Sequence, residues 1–398
     1  MLALVTVTVL CMGMLSCGDD EEDNKNGISD GQNIPNSVSS SFIGEGTFAN
    51  PYLISSAGDL RLLANNVNNG KNYHDAYFKM TSNITFNHNV LQEDGELNPN
   101  YSNFEEWIPI GNAETNYFCG NFDGNGYTIS GLYINNYTEN SYNALFGFFS
   151  GKISNLTIYD SYFGNYNAAG IVGYVLNKSG YPPSITNCRN YARVDGYHKG
   201  GIVARNQSRT LVIDRCTNYG TVTGEISYYG AGIVGYNGEN VIIKNCVNYG
   251  NIQGSMAPSG IIGGTHSRVY NSANFGKVNG KTAEAGICSG CKEINNCVNY
   301  GTIDDGNGYA LFVSIEDGRK MENAYYFSLS AKKAYSSINN INNLINWSPQ
   351  SHYKSMNASQ MKDQSFLNQL NENARSLGDD FSLWKFGEDG FPTLDFVK

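Results

Sequence analysis

The sequence predicts an all-β fold, a right-handed parallel β-helix with a short capping helix on its N-terminal side and a helix-containing cap on its C-terminal side. Three observations carry this expectation. The pattern Ile-x-Asn-Cys-x-Asn-Tyr-Gly-x-Val recurs along the middle of the chain, and a second pattern, Gly-Ile-Val-Gly, alternates with it. The 398 residues are also poor in charge, at 16%, and rich in Gly (45) and Tyr (28). Such a composition suits many short strands joined by tight turns, because Gly and Asn accept the positive φ that turns need. It differs from the charged, Pro-rich composition of disordered chains.

In chain order, residues 1–16 are almost wholly apolar. The run is shorter than the roughly 20 residues of a membrane-spanning helix and reads as a signal peptide. It ends Met14-Leu15-Ser16-Cys17, which resembles a lipobox and makes Cys17 the expected site of lipidation. The acidic run Asp19-Asp20-Glu21-Glu22-Asp23 then resembles the export signal of surface lipoproteins in some Gram-negative anaerobes. Residues 17–41 are expected to be a polar tether. The expected location is the cell outer membrane, lipid-anchored and surface-exposed, with the anchor as the only membrane contact. These acids with Asp30, against Lys25, supply half of the net charge of −10. An acidic chain disfavours nucleic acid as a partner.

Residues 42–325 are expected to form the β-helix with its N-terminal cap. Leu60, Leu63, Ala64 and Val67 recur at helical spacing and mark the capping helix. Full copies of the first repeat then start at Ile185, Ile213, Ile243, Val269 and Ile294, and weaker ones at Ile129, Ile153 and Met321, so successive starts lie 24–32 residues apart. Copies of the second begin at Gly170, Gly201, Gly232, Gly260 and Gly286, with degenerate forms at Ala144 and Ala310. A unit with two or three such strands buries its apolar face only by stacking on its neighbours. The irregular period excludes collagen and heptad coils, and it is shorter than a propeller blade of about 40 residues. One repeat per coil, stacked about 4.8 Å apart with right-handed crossovers, accommodates the variation as loops.

Alternation turns Cys188, Asn190, Ala192 and Val194 inward, and Asn190, Asn218, Asn248, Asn274 and Asn299 would form an interior amide ladder. Tyr191, Tyr219, Tyr249, Phe275 and Tyr300 would stack at a bend; the alternative is a solvent-facing stripe that receives a glycan. Cys188, Cys216, Cys246 and Cys297 share a column with Leu132 and Leu156, so they read as small buried apolar side chains. Stacking could still bring such cysteines within disulfide reach. Residues 326–398 are expected to be the C-terminal cap. Residues 359–376 read as a helix with Ser359 as a possible N-cap, and Trp384, Phe386, Phe391 and Leu394 could cover the last coil.

An ordered set of motifs spans residues 44–394. Gly46-Thr47, Pro51-Tyr52-Leu53-Ile54, Asp59-Leu60, Tyr77-Phe78-Lys79-Met80, Trp107-Ile108-Pro109-Ile110-Gly111, Phe122-Asp123-Gly124-Asn125-Gly126-Tyr127-Thr128-Ile129 and Leu145-Phe146-Gly147 lead into the Gly-Ile-Val-Gly copies. This resembles the GLUG-repeat proteins of bacterial surfaces, also found ahead of the protease domain of IgA1-specific metallopeptidases. The resemblance implies a right-handed β-helix and suggests adhesion to host or neighbouring-cell surfaces. It carries over no functional residues.

Chemistry is sparse. His-Glu-x-x-His is absent, and His74, His88, His198, His266 and His352 are isolated. Cys288-Ser289-Gly290-Cys291 has no second pair to complete a metal site. No catalytic residue, metal or cofactor is expected. A β-helix lyase or glycosidase would need paired carboxylates on one face. Asp123, Asp160, Asp195, Asp214, Asp304 and Asp305 read as lying in different columns, with Asp123 closing a turn. Arg189, Arg193, Arg205, Arg209 and Arg215 cluster on two coils; they could bind an anionic glycan but read mainly as solvated charge. The expectation is therefore a surface adhesin or binding scaffold, not an enzyme, with a host or bacterial glycan or protein as partner. A fimbria-like structural subunit is the alternative, and a lyase or glycosidase the remoter one. Loops on a rigid scaffold are the expected contact points: residues 87–106, 135–143 and 175–184, with Tyr101, Phe104, Tyr137, Tyr142 and Tyr181 as their aromatic members.

Overall fold

The copies of the first repeat from Ile153 onward place their leading Ile, Val or Met in strands that stack in parallel, whereas the weak copy at Ile129 is offset and pairs with Ile84 and Ile158. One inward column runs Tyr52, Phe78, Phe122, Ile153, Ile185, Ile213, Ile243, Val269, Ile294 and Met321. The computed structural model describes residues 41–136, 141–224, 229–303, 308–331, 333–338 and 353–397. These belong to one compact unit, Val38–Lys398. The expectations for the signal peptide, Cys17 and most of the tether fall outside the described residues, as do Tyr137, Asp304 and Asp305. The result is an all-β parallel solenoid of about nine turns. Among the described residues no helix is long and apolar enough to cross a membrane.

Five strand positions follow one another around a coil. In the coil of residues 184–206 they are Ser184–Thr186, Arg189–Asn190, Arg193–Asp195, His198–Gly200 and Val203–Asn206. They are called the first to fifth faces here. The second face carries the amide ladder. Asn190 Nδ2 donates to Asn218 Oδ1 (2.9 Å), and Asn218 to Asn248, Asn248 to Asn274 and Asn274 to Asn299 follow at 2.8 Å each. All five are fully buried, and their second amide hydrogen goes to the carbonyl two residues on. A buried amide costs little once it is satisfied in this way.

The ladder explains the second repeat. A Cβ on Gly170, Gly201, Gly232, Gly260 or Gly286 would fall 2.1–2.4 Å from the amide group of Asn190, Asn218, Asn248, Asn274 or Asn299 respectively. Only glycine fits there. The two motifs are thus one device, an amide on one wall against bare backbone on the other.

The first Asn of the repeat has a separate role. Asn155, Asn187, Asn245, Asn271, Asn296 and Asn323 turn the corner between the first two faces with φ of 47–55°, a left-handed conformation that Asn tolerates. Their side chains make a corner ladder that donates in the opposite direction: Asn187 to Asn155 (2.8 Å), Asn271 to Asn245 (2.8 Å) and Asn296 to Asn271 (2.7 Å). Arg215 takes this corner in one coil (φ 53°), and Asp214 Oδ1 there accepts from Asn245 (2.6 Å).

The aromatic stack forms as expected, with Tyr191–Tyr219 at 4.4 Å and 5°, Tyr219–Tyr249 at 5.2 Å and 6°, and Phe275–Tyr300 at 4.5 Å and 24°. Cys188, Cys216, Cys246 and Cys297 are buried and free. The disulfide joins Cys288 to Cys291 instead, within one coil.

Helix α1 (Ala57–Asn68) buries Leu60, Leu63, Ala64 and Val67, and the Asp59 carboxylate accepts from the Ser55 amide (2.9 Å) at its start. The C-terminal segment differs from expectation in two ways. Two helices replace one, α2 (Ala358–Met361) and α3 (Gln364–Leu377). Their N-caps are Asn357, in a reciprocal capping box with Gln360, and Asp363, so Ser359 caps nothing. The segment also runs along the flank and docks on the corner ladder. Ser382 N donates to Asn245 Oδ1 (2.9 Å), Trp384 Nε1 to Asn271 Oδ1 (2.7 Å) and Asn373 Nδ2 to Asn296 Oδ1 (3.2 Å). Each corner carbonyl has two lone pairs, and those the ladder leaves open draw the segment there.

Candidate ligand-binding surfaces

Because Phe78, Phe122, Ile153 and Ile185 point inward on the first face, their strand neighbours point out. Two outward columns result, Leu53–Lys79–Asp123–Ser154–Thr186 and Tyr77–Asn121–Lys152–Ser184. Phe48, 82% exposed in the segment ahead of the first strand, stands edge-on to Tyr77 at 5.4 Å. These residues enclose an open groove of about 700 Å3. Its walls are Phe48, Pro51 and Tyr77, and its floor offers amide, hydroxyl, carboxylate and ammonium groups from rigid, paired strands. Phe48 and Tyr77 were not singled out in the sequence. Tyr77 had a signal, alternation with the inward Phe78. Phe48 had none, because only folding shows where its segment lies.

Tyr181 borders this groove: Lys152 Nζ lies 4.9 Å over its ring, and its hydroxyl donates to Asp75 (3.2 Å) and the Cys119 carbonyl (3.3 Å). Burial holds that hydroxyl above its ordinary pKa, so it stays a donor. The other loop aromatics go elsewhere. Tyr101 stacks on Tyr133 (6.1 Å) and Phe104 meets the same ring edge-on (5.5 Å), pinning the loop to the coil wall. Tyr142 stacks on Tyr174 (4.7 Å, 9°). The described loop aromatics therefore do not converge on one site.

At the aromatic stack the ring faces are turned on one another, and the C-terminal hairpin closes over part of it. Phe391 lies 5.2 Å from Tyr300, and the Tyr249 and Thr393 hydroxyls are 2.7 Å apart. A cavity of about 480 Å3 remains beneath Lys385, Phe386 and Asp389.

Asp123 and Asp214 turn out to share one outward column, a correction to their expected separation, since Thr186 pairs with both Ser154 and Asp214. Three rungs still part them, about 14 Å. The Asp123 carboxylate accepts from the Asn125 amide (2.8 Å), closing its turn. Asp160 accepts from the Leu91 amide (2.8 Å). The arginines are dispersed: Arg193 pairs with Glu96 (2.8 Å) and Arg215 with Asp214 (2.5 Å). Among the described residues no three His, Cys, Asp or Glu side chains converge as metal ligands do.

No family model matches the chain. It is 30% identical over 190 residues to Halomucin of Haloquadratum walsbyi, a match covering 47% of this chain and 2% of that protein. It is 35% identical over 132 residues to an Evansella cellulosilytica protein provisionally named a Gly-rich membrane protein, covering 33% of this chain and 13% of that protein. The chain thus spans a small part of these relatives' length. Among solved structures it is similar to a Bacteroides ovatus protein provisionally named an immunoglobulin A1 protease, with a TM-score of 0.56, 18% identity, and 89% of this chain and 95% of that chain covered. At that identity the likeness establishes the fold.

Proposed function

We propose that this protein is a surface-displayed binding scaffold, tethered through a lipid on Cys17, that holds glycoconjugates or proteins of a host or neighbouring cell. The carrying observation is the first-face groove, in which an exposed Phe48 and Tyr77 stand over a polar floor fixed by five stacked strands. Aromatic walls with a few placed polar groups are what a saccharide or peptide site needs. The names of the relatives, a halomucin and a membrane protein, agree with life at a cell surface. The GLUG-repeat resemblance points the same way.

The test is retention of the purified protein on immobilised glycans, mucins and matrix proteins, with released fragments assayed in parallel. Saturable retention that drops at least about tenfold in a Phe48→Ala/Tyr77→Ala variant of unchanged melting supports the reading. Fragment release would overturn it in favour of a lyase or glycosidase, and no retention would favour a structural subunit. For the anchor, labelled palmitate should enter the wild type and not Cys17→Ala.

A further inference from the structure

A second ring cluster on the fifth face shares no residue with the groove. Register sets an outward column of Phe148, Tyr174, Arg205 and Tyr236. The Arg205 guanidinium carbon lies 5.4 Å from the Tyr174 ring centroid and 5.3 Å from that of Tyr236, so the cation is held between two aromatic rungs. Tyr142 extends the cluster beside Tyr174. His198 and Tyr229 extend it beside Tyr236, each 5.3 Å away. The Tyr174 hydroxyl donates to Gln207.

Among the described residues the charge of the cluster is uncompensated, whereas most arginines are paired. Arg61, Arg193, Arg209, Arg215 and Arg268 each face a carboxylate at 2.5–3.9 Å. Arg205 faces none among the described residues. Burial, and then the Arg205 charge, lower the His198 pKa to about 4, so the imidazole is neutral near pH 7. Glu114, whose charge acts on Tyr142 and Tyr174, is paired with Lys178 (3.6 Å). A single half-buried guanidinium framed by rings suits a ligand with one anionic group on a ring-sized, uncharged body. The fork of N–H donors grips a carboxylate or sulfate in two-point fashion, and pyranose C–H faces pack on Tyr and Phe rings. A polyanionic peptide would need more cations than this surface has.

We infer that the surface around Arg205, Tyr142, Tyr229 and Tyr236, backed by the buried Tyr174, binds a carboxylated or sulfated saccharide. This rests on the ligand-binding reading above but names a different surface and a charged ligand. The experiment titrates the full chain with N-acetylneuraminyl-lactose, lactose sulfate, lactose and tetraglutamate, following binding calorimetrically. The two acidic sugars should bind at least about tenfold more tightly than lactose. Arg205→Gln should erase that difference at unchanged melting, with Arg205→Lys intermediate because it keeps charge but not the fork. Tyr236→Ala should weaken the acidic sugars as well. Lactose binding equally well, tetraglutamate binding as tightly, or indifference to Arg205→Lys and Arg205→Gln would each overturn the inference. The Phe48→Ala/Tyr77→Ala variant separates the two readings. Should it lose sugar binding that the Arg205 variants keep, the inference fails and the groove stands. Should no sugar or mucin bind wild type, both fail.

Discussion

Between residues 52 and 163 the second-face column holds Ile84, Ile129 and Ile158, whereas between 185 and 303 it holds five asparagines. The early coils are filled by Phe78, Phe118, Phe122, Phe146, Phe149 and Phe163. In the later coils Ile, Val and Cys suffice. The facing wall changes in step. It is Ala144 where the next coil offers Ile158, glycine in the five coils that face Asn, and Ala310 where the next coil offers Tyr326. One interior thus has two solutions. Apolar bulk needs no partner and tolerates variation, while an amide ladder needs both a neighbour in each coil and bare backbone opposite. That demand keeps the later repeats uniform and lets the earlier ones drift.

The comparison can be broken most sharply inside the ladder coils. Ile243→Asp places an unpaired carboxylate in the stack and should cost more than about 5 kcal/mol, leaving no cooperative melt by circular dichroism. A mutant that melts like wild type would mean the column is misassigned. Next is Lys199, fully buried among the later coils, with Nζ donating to the Gly224 carbonyl (3.2 Å). Burial lowers its pKa from 10.5 to about 7, against a smaller opposing effect of Asp195. The unfolded chain therefore binds this proton more readily, so stability should fall as pH drops from about 10.5 to 7 and stay low below that. Lys199→Met should remove the slope and stabilise at pH 6 by on the order of 3 kcal/mol. Equal melting of both proteins at pH 6 and pH 10 would show that Lys199 has no such role.

Gly232→Ala should cost about 2–3 kcal/mol, because its Cβ would sit 2.3 Å from the Asn248 amide carbon and 2.3 Å from the Gly260 carbonyl oxygen. Asn248→Ala should cost about 2 kcal/mol by interrupting the ladder between Asn218 and Asn274. The smallest effect belongs to the early coils, where Ala144→Gly should cost only about 1 kcal/mol. Urea melts that rank Ala144→Gly above Gly232→Ala would erase the proposed pairing of motif and wall.

Much of the coil was legible from the repeat. Alternation from Cys188 to Val194 assigned the inward residues, and the apolar alternative Leu156 identified the cysteine column as packing, whereas Leu132 falls instead in the column of Ser161 and Ala192. The corner role of Asn187 and its equivalents was less legible, because an Asn that recurs in a repeat does not reveal whether its backbone or its side chain is needed. Ser359 was read as the possible cap where Asn357 is the actual one, since local sequence does not show which amide each side chain reaches. The candidate site was the least legible part. Five loop aromatics were named, yet among the four described Tyr181 alone borders the groove and Tyr142 joins the Arg205 cluster.

The sequence by itself determined the solenoid, the ladder and the aromatic stack. These follow from a short period in which each residue's neighbours are its own equivalents one coil away, so a pattern along the chain becomes a pattern in space. Only the tertiary structure decided where Phe48 stands over the first face and where the segment from Asn357 to Val397 docks on the corner amides. Those contacts join stretches with no shared period, and complementarity between surfaces that exist only after stacking selects them.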